Sequence, residues 1–165
     1  MLENINPEKV LFLDIETVPM TPDFDSAPPS FQHLWEKKSA YFRKENETPS
    51  DVYQRAGIYA EFGKVICISV GFIYLKNGKR CLKLKSFFSK NEKELLVEFS
   101  SFLDKNSSFA LCAHNGKEFD FPYLSRRMLI NGIKIPAVLD ASGKKPWETN
   151  FIDTMELWKF GDYKN

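Results

Sequence analysis

The chain has 165 residues, 43% of them hydrophobic, which is enough for one ordinary core and too few for two independent domains. Its 23 Lys and Arg nearly cancel 22 Asp and Glu. The formal charge of +1 excludes a polybasic protein but not a nucleic-acid binder with a local basic rim.

Cys67, Cys81 and Cys112 are odd in number, widely spaced and without a CxxC pair. With no signal peptide and no apolar run of membrane-spanning length, they predict reduced thiols in a cytoplasmic protein without a membrane partner. The first predicted element is a strand over Lys9–Glu16 in "KVLFLDIETVP", with five apolar residues between Val10 and Ile15 and Pro19 closing it. Asp14 and Glu16 stand two apart in that strand and therefore share a face. Inside a core, two adjacent carboxylates repel and are costly, so a cationic partner is expected.

Residues 19–60 break the pattern. Pro22, Pro28, Pro29 and Pro49 punctuate a polar insertion, in which Phe31, Leu34 and Trp35 predict one face of a short helix. A second short helix is predicted near residues 49–61, with Ser50 or Asp51 as its cap. "KVICISVGFIYL" (64–75) and "KRCLKLKSFF" (79–88) then read as strands, joined at Asn77-Gly78 by a two-residue hairpin turn. Lys76, Lys79, Arg80, Lys83 and Lys85 on this hairpin read as a solvated face in which Lys protects an edge from pairing.

Leu95, Leu96, Phe99, Phe102 and Leu103 recur at helical spacing, with Asn91 and Glu94 resembling a capping box. "FALCAH" (109–114) predicts a strand, and "DFPYLSRRMLINGI" (120–133) a helix with Pro122 in its first turn and Asn131-Gly132 at its end. Residues 136–148 read as a loop, and "NFIDTMELWKF" opens a last strand or helix. The predicted order is three strands with an antiparallel hairpin, then helix, strand, helix, strand. This is a mixed α/β sheet flanked by helices, with the apolar first strand central.

A third acid joins the first two. Asp120 opens the helix after "FALCAH", and in open α/β sheets sites collect outside the carboxyl ends of parallel strands. If the first strand and "FALCAH" are parallel neighbours, Asp14, Glu16 and Asp120 converge. An all-oxygen set of clustered acids suits Mg²⁺ or Mn²⁺ better than zinc. Two such ions about 4 Å apart activate water and stabilise the leaving oxygen of a phosphodiester.

"FLDIETVP" and "AHNGKEFDFPYL" resemble the first two motifs of the DEDD (DnaQ-like) 3′–5′ exonucleases, and the group related to the proofreading domain of family B DNA polymerases most closely. "YAEFGKVICISVGF" and "FIDTMEL" are similar to that group as well. The resemblance implies a ribonuclease H-like fold with Asp14, Glu16 and Asp120 as catalytic metal ligands for two divalent cations. It implies that Thr17 and Val18 meet the 3′-terminal nucleotide, while Asn115, Phe119 and Tyr123 line the substrate groove. The partner implied is single-stranded nucleic acid with a free 3′ end, DNA favoured over RNA.

The family's third motif, a Tyr or His followed by Asp on a helix well after the "DT" strand, is where this sequence departs. Asp162 and Tyr163 stand in the wrong order and too close to Asp153, which itself matches the "DT" position. The expectation is one exonuclease-like domain over 1–165, incomplete at its C-terminal end, whose activity alone is in question. The alternative is a non-catalytic nucleic-acid-binding or interaction module with an incomplete acid set. The oligomeric state stays open.

Simpler readings stand beside these. Asp14 and Glu16 could be surface ions at a strand end. Asp120 could cap its helix, ligate, or do both. His114, ending a predicted buried strand, reads as a hydrogen-bonded structural residue. Arg126 and Arg127 are placed either to reach phosphates or simply to be solvated. Trp35 and Trp147 could be core plugs or stacking platforms.

Overall fold

In a computed structural model, which describes Glu3 and residues 5–162, the apolar first strand is the middle strand of a five-stranded sheet. Strand β1 (Val10–Pro19) pairs antiparallel with β2 (Gly63–Lys76), and β2 with β3 (Lys79–Phe88). On its other side β1 runs parallel to β4 (Ala110–Ala113), which pairs in parallel with the two-residue β5 (Ile152–Asp153). The sheet order is β3-β2-β1-β4-β5. With its flanking helices this is the mixed α/β sheet that the element order predicts.

The hairpin between β2 and β3 turns at Asn77 and Gly78, with φ of 52° and 74°. Both left-handed values are what a tight primed turn requires, and Asn and Gly are the residues that adopt them most readily.

One face of the sheet is covered by helix α2 (Glu92–Lys105) and helix α3 (Asp120–Ile130). Leu95, Leu96, Phe99 and Leu103 of α2, with Phe121, Leu124 and Met128 of α3, pack against Leu11, Leu13, Ile15, Ile68, Val70 and Phe87. Each such side chain contributes about 1.5–3 kcal/mol by leaving water. Asn91 caps α2 by accepting the Lys93 N–H. The reciprocal half of the expected capping box does not form: the Asn91 N–H goes to Ser89 Oγ, and Glu94 takes the Ser89 hydroxyl instead.

The insertion builds a second, smaller core. Helix α1 (Pro29–Ser39) sends Trp35 into a cluster with Val52, Tyr53, Ala56 and Phe62, and the Trp35 indole N–H donates to the Pro49 carbonyl. Trp35 is thus a core plug, whereas Trp147 is exposed under the Lys145 ammonium. Leu34, expected on the buried face of α1, is exposed. The second predicted helix is a 3-10 turn over Tyr53–Ile58 whose cap is Val52, and Asp51 serves Thr48 rather than the turn.

"FIDTMEL" is both strand and helix: β5, then α4 (Thr154–Lys159). Tyr163 lies outside the described residues. Among those described, the three cysteines are free, and no helix is long and apolar enough to cross a membrane.

Candidate active site

Strand alternation sends Leu11, Leu13 and Ile15 into the core and turns Phe12, Asp14 and Glu16 toward the face that α2 and α3 leave open. Asp14 and Glu16 are therefore exposed, which corrects the expectation of carboxylates inside the core. Across the sheet Asp14 lies opposite Ser69, and Glu16 opposite Cys67. Directly after Glu16 the register slips: Thr17 pairs with Val65, leaving Ile66 as the extra residue of a β-bulge. Bulges of this kind commonly re-aim side chains beside functional sites.

β1 and β4 are indeed parallel neighbours, and β4 ends where β1 continues toward its acids. The chain then makes a tight excursion through Asn115, a non-glycine residue with a φ of 57°, before entering α3. Asp153 organises this excursion. Its Oδ1 accepts the Asn115 and Met155 N–H groups, and its Oδ2 accepts the Lys117 N–H. Gly116 is required there, because a Cβ would collide with Ala113. His114 is exposed, with Nδ1 3.0 Å from the Thr154 hydroxyl, so it is hydrogen-bonded but does not end a buried strand.

Asp120 is the first residue of α3 rather than its cap, which is Phe119. It is 3% exposed, and its Oδ1 accepts the Ile15 N–H at 3.2 Å. The third acid is thus tied to the backbone between the first two. Burial, and secondarily the negative charge of Asp14, pushes the Asp120 carboxyl up to about 6. Among the described residues no ion pair involves Asp14, Glu16 or Asp120, whose charges are left to a solvent cation or a bound one. Their side chains, as they stand, are not gathered into a three-ligand metal nest among those residues. Asp14 and Asp120 are brought together; Glu16 shares the face of Asp14.

Thr17 and Val18 are half-buried just beyond the bulge, and Asn115 and Phe119 are half-buried on the loop leading to Asp120. The Asn115 Oδ1 is buried without a hydrogen-bond partner. Tyr123 is 2% exposed and donates to the Gly57 carbonyl at 2.8 Å, so it is a buried residue and not the surface-lining one expected. Two clefts, of about 430 and 320 Å³, lie beside Phe151 and are not lined by Asp14, Glu16 or Asp120.

Sequence reasoning missed Glu92 and misjudged Arg127. Arg127 is buried, with its Nε and Nη2 on the two Glu92 oxygens and Nη1 on the Ala60 carbonyl, while Arg126 is exposed and only 3.9 Å from Glu61. The signal was present in the spacing: Arg127 falls three and four residues from Leu124 and Tyr123, on the buried stripe of α3.

A family model described as a predicted 3′–5′ exonuclease related to the exonuclease domain of PolB matches residues 58–160. The chain belongs to this family. No curated protein matches it. Among solved structures it is similar to the family B DNA polymerase from the hyperthermophilic archaeon Pyrobaculum calidifontis. The TM-score is 0.48 and the identity 14%, over 97% of this chain and 17% of that one. The chain therefore spans under a fifth of that polymerase. Within this PolB-related exonuclease family member, the matched range includes Asp120, its supporting Asp153, and both partners of the Arg127–Glu92 pair, while Asp14 and Glu16 precede it.

Proposed function

We propose that this chain is a metal-dependent 3′–5′ exonuclease domain that hydrolyses phosphodiester bonds at the 3′ ends of single-stranded nucleic acid, DNA in preference to RNA. The observation that carries the reading is the Asp120–Ile15 bond. It seats a buried acid, itself charged with difficulty, between two exposed acids that have no cationic side chain of their own.

Such a set suits two Mg²⁺ or Mn²⁺ ions. The oxygens of Asp14, Glu16 and Asp120 would hold them, and a divalent cation also favours the ionised form of Asp120 that burial opposes. When bound, the ions supply Lewis-acid activation of water and neutralise charge on the departing oxygen. The chain's own residues do the rest. Thr17 and Val18 offer a half-buried shelf for the 3′-terminal nucleotide, and Asn115 and Phe119 border the approach, Phe119 with a ring for stacking. In the overall reaction water adds to phosphorus, the bond to the 3′ oxygen of the preceding nucleotide breaks, and a nucleoside 5′-monophosphate leaves.

The test is Mn²⁺-dependent shortening of a 5′-labelled single strand, with Asp14→Asn as control. Stepwise loss of nucleotides from the 3′ end, abolished in the variant, is expected. Retained oligonucleotide binding with no Asp14-dependent hydrolysis identifies a binding module instead.

A further inference from the structure

The β-bulge beside Glu16 has an unusual support. The Val65 N–H, opposite Thr17, is taken up by a side chain: Glu92 Oε1 at 2.8 Å. Glu92 is the first residue of α2 and is held by the Arg127 guanidinium through both oxygens, with Asn131 Nδ2 on Oε2. The pair is almost fully out of water, with side chains 3% and 10% exposed. Arg127 continues to the Ala60 carbonyl, and Tyr123, one turn earlier on α3, to the Gly57 carbonyl.

Two glycines let these segments close. A Cβ on Gly57 would press on the backbone of Val18 and Pro19, and one on Gly63 would collide with the Tyr123 hydroxyl. The network thus reaches backbone at Gly57, Ala60 and Val65, around the C-terminal end of β1, and the Tyr123 hydroxyl also meets the Thr17 side chain. Its root, α3, is the helix that carries Asp120.

A buried ion pair is weak evidence for stability, since apolar replacements of similar volume often do as well. Its stronger use is to specify one geometry. We infer that Glu92, Arg127 and Tyr123 are positioning residues of the exonuclease site: by pinning the bulge and residues 57–60 to α3, they fix where Glu16 and Thr17 stand relative to Asp120. The inference rests on the reading of Asp14, Glu16 and Asp120 as metal ligands. Outer partners of metal ligands typically change affinity by about 10–100-fold when lost.

The test is Mn²⁺ titration of the full chain by electron paramagnetic resonance, with circular dichroism confirming the fold. The double variant E92L/R127M leaves no buried charge but strips Val65 of its acceptor, and its Mn²⁺ affinity should fall about tenfold. E92Q/R127M restores an oxygen for Val65 but still lacks the Arg127 bond to the Ala60 carbonyl, so it should recover only part of that loss. If E92L/R127M does not fold, Tyr123→Phe carries the test. It retains the ring packing, loses the hydroxyl's bonds to Gly57 and Thr17, and should likewise weaken Mn²⁺ binding. Parental affinity in a folded E92L/R127M, or in Tyr123→Phe where that variant stands in, overturns the positioning role while leaving the metal reading intact. A parental chain whose Mn²⁺ binding is unaffected by Asp14→Asn overturns the metal reading, and the positioning role with it.

Discussion

At the scale of single residues, Asp120 shows how position changes chemistry. In sequence it is one acid among 22 Asp and Glu; in the fold it is the acid held against the Ile15 N–H with Asp14 near enough to hinder its ionisation. Because its folded pKa is raised to about 6 from 3.8, the folded state holds its proton more tightly than the unfolded chain. The resulting stabilisation is complete below the unfolded value and is lost as pH rises through about 6. Asp120→Asn keeps an acceptor for Ile15 and removes the charge. Without metal it should therefore be more stable than the parental chain at pH 7.5, by on the order of 2 kcal/mol, and equal to it near pH 4. Urea melts at the two pH values check this, and a variant less stable at pH 7.5 contradicts it. With Mn²⁺ the order should reverse, since only the parental site gains from the ion. The approach of Asp120 to the strand of Asp14 and Glu16 was legible because those two lie on one strand face and Asp120 opens a helix after a parallel strand. The roles of Tyr123 and Arg127 were not, because a sequence does not say which side chain reaches a backbone group some 66 residues away.

At the scale of elements, β3 inverts the simplest reading of its alternation. On an amphipathic strand the apolar residues should face the covering helices. Here Leu82, Leu84 and Phe88 point to the open face and are 60–77% exposed, while Lys85 lies on the helix side. The Lys85 ammonium sits 4.1 Å over the Phe87 ring and bonds Glu98 of α2, so its stem covers apolar surface at the sheet edge. The lysines do lie on an edge strand, as expected, and Lys85 also contacts the flanking helix. Neighbouring residues on this strand should therefore respond very differently. Phe87→Ala, which opens a cavity at a ring packed edge-on to Phe99, should cost roughly 3–5 kcal/mol, and Leu84→Lys less than about 0.5 kcal/mol. Equilibrium denaturation of the two variants decides; a large loss from Leu84→Lys would mean that the open face is packed in solution.

At the scale of the whole molecule, the near-neutral net charge limits how tightly nucleic acid can be held. Binding should be weak, steep in salt, and better for single strands than duplexes, because a half-buried Phe119 beside the acids offers stacking to an unpaired base. Fluorescence anisotropy with matched oligonucleotides in Ca²⁺ at two salt concentrations measures this, and a preference for duplex overturns it. The sequence by itself determined the first four strands, the hairpin turn, the α2 and α3 helices and the acid motifs. Each of these is written in local periodicity, turn chemistry or spacing within a few residues. Only the tertiary structure decided that β1 is flanked by β2 and β4, that the acids face away from the helices, and that Trp35 nucleates a separate core in the insertion. It also decided that Glu92 on α2 and Arg127 on α3 meet over the bulge beside Glu16. Those outcomes depend on which face each element buries and on contacts 27 to 67 residues apart, where the cost of chain closure is met only when many contacts form together.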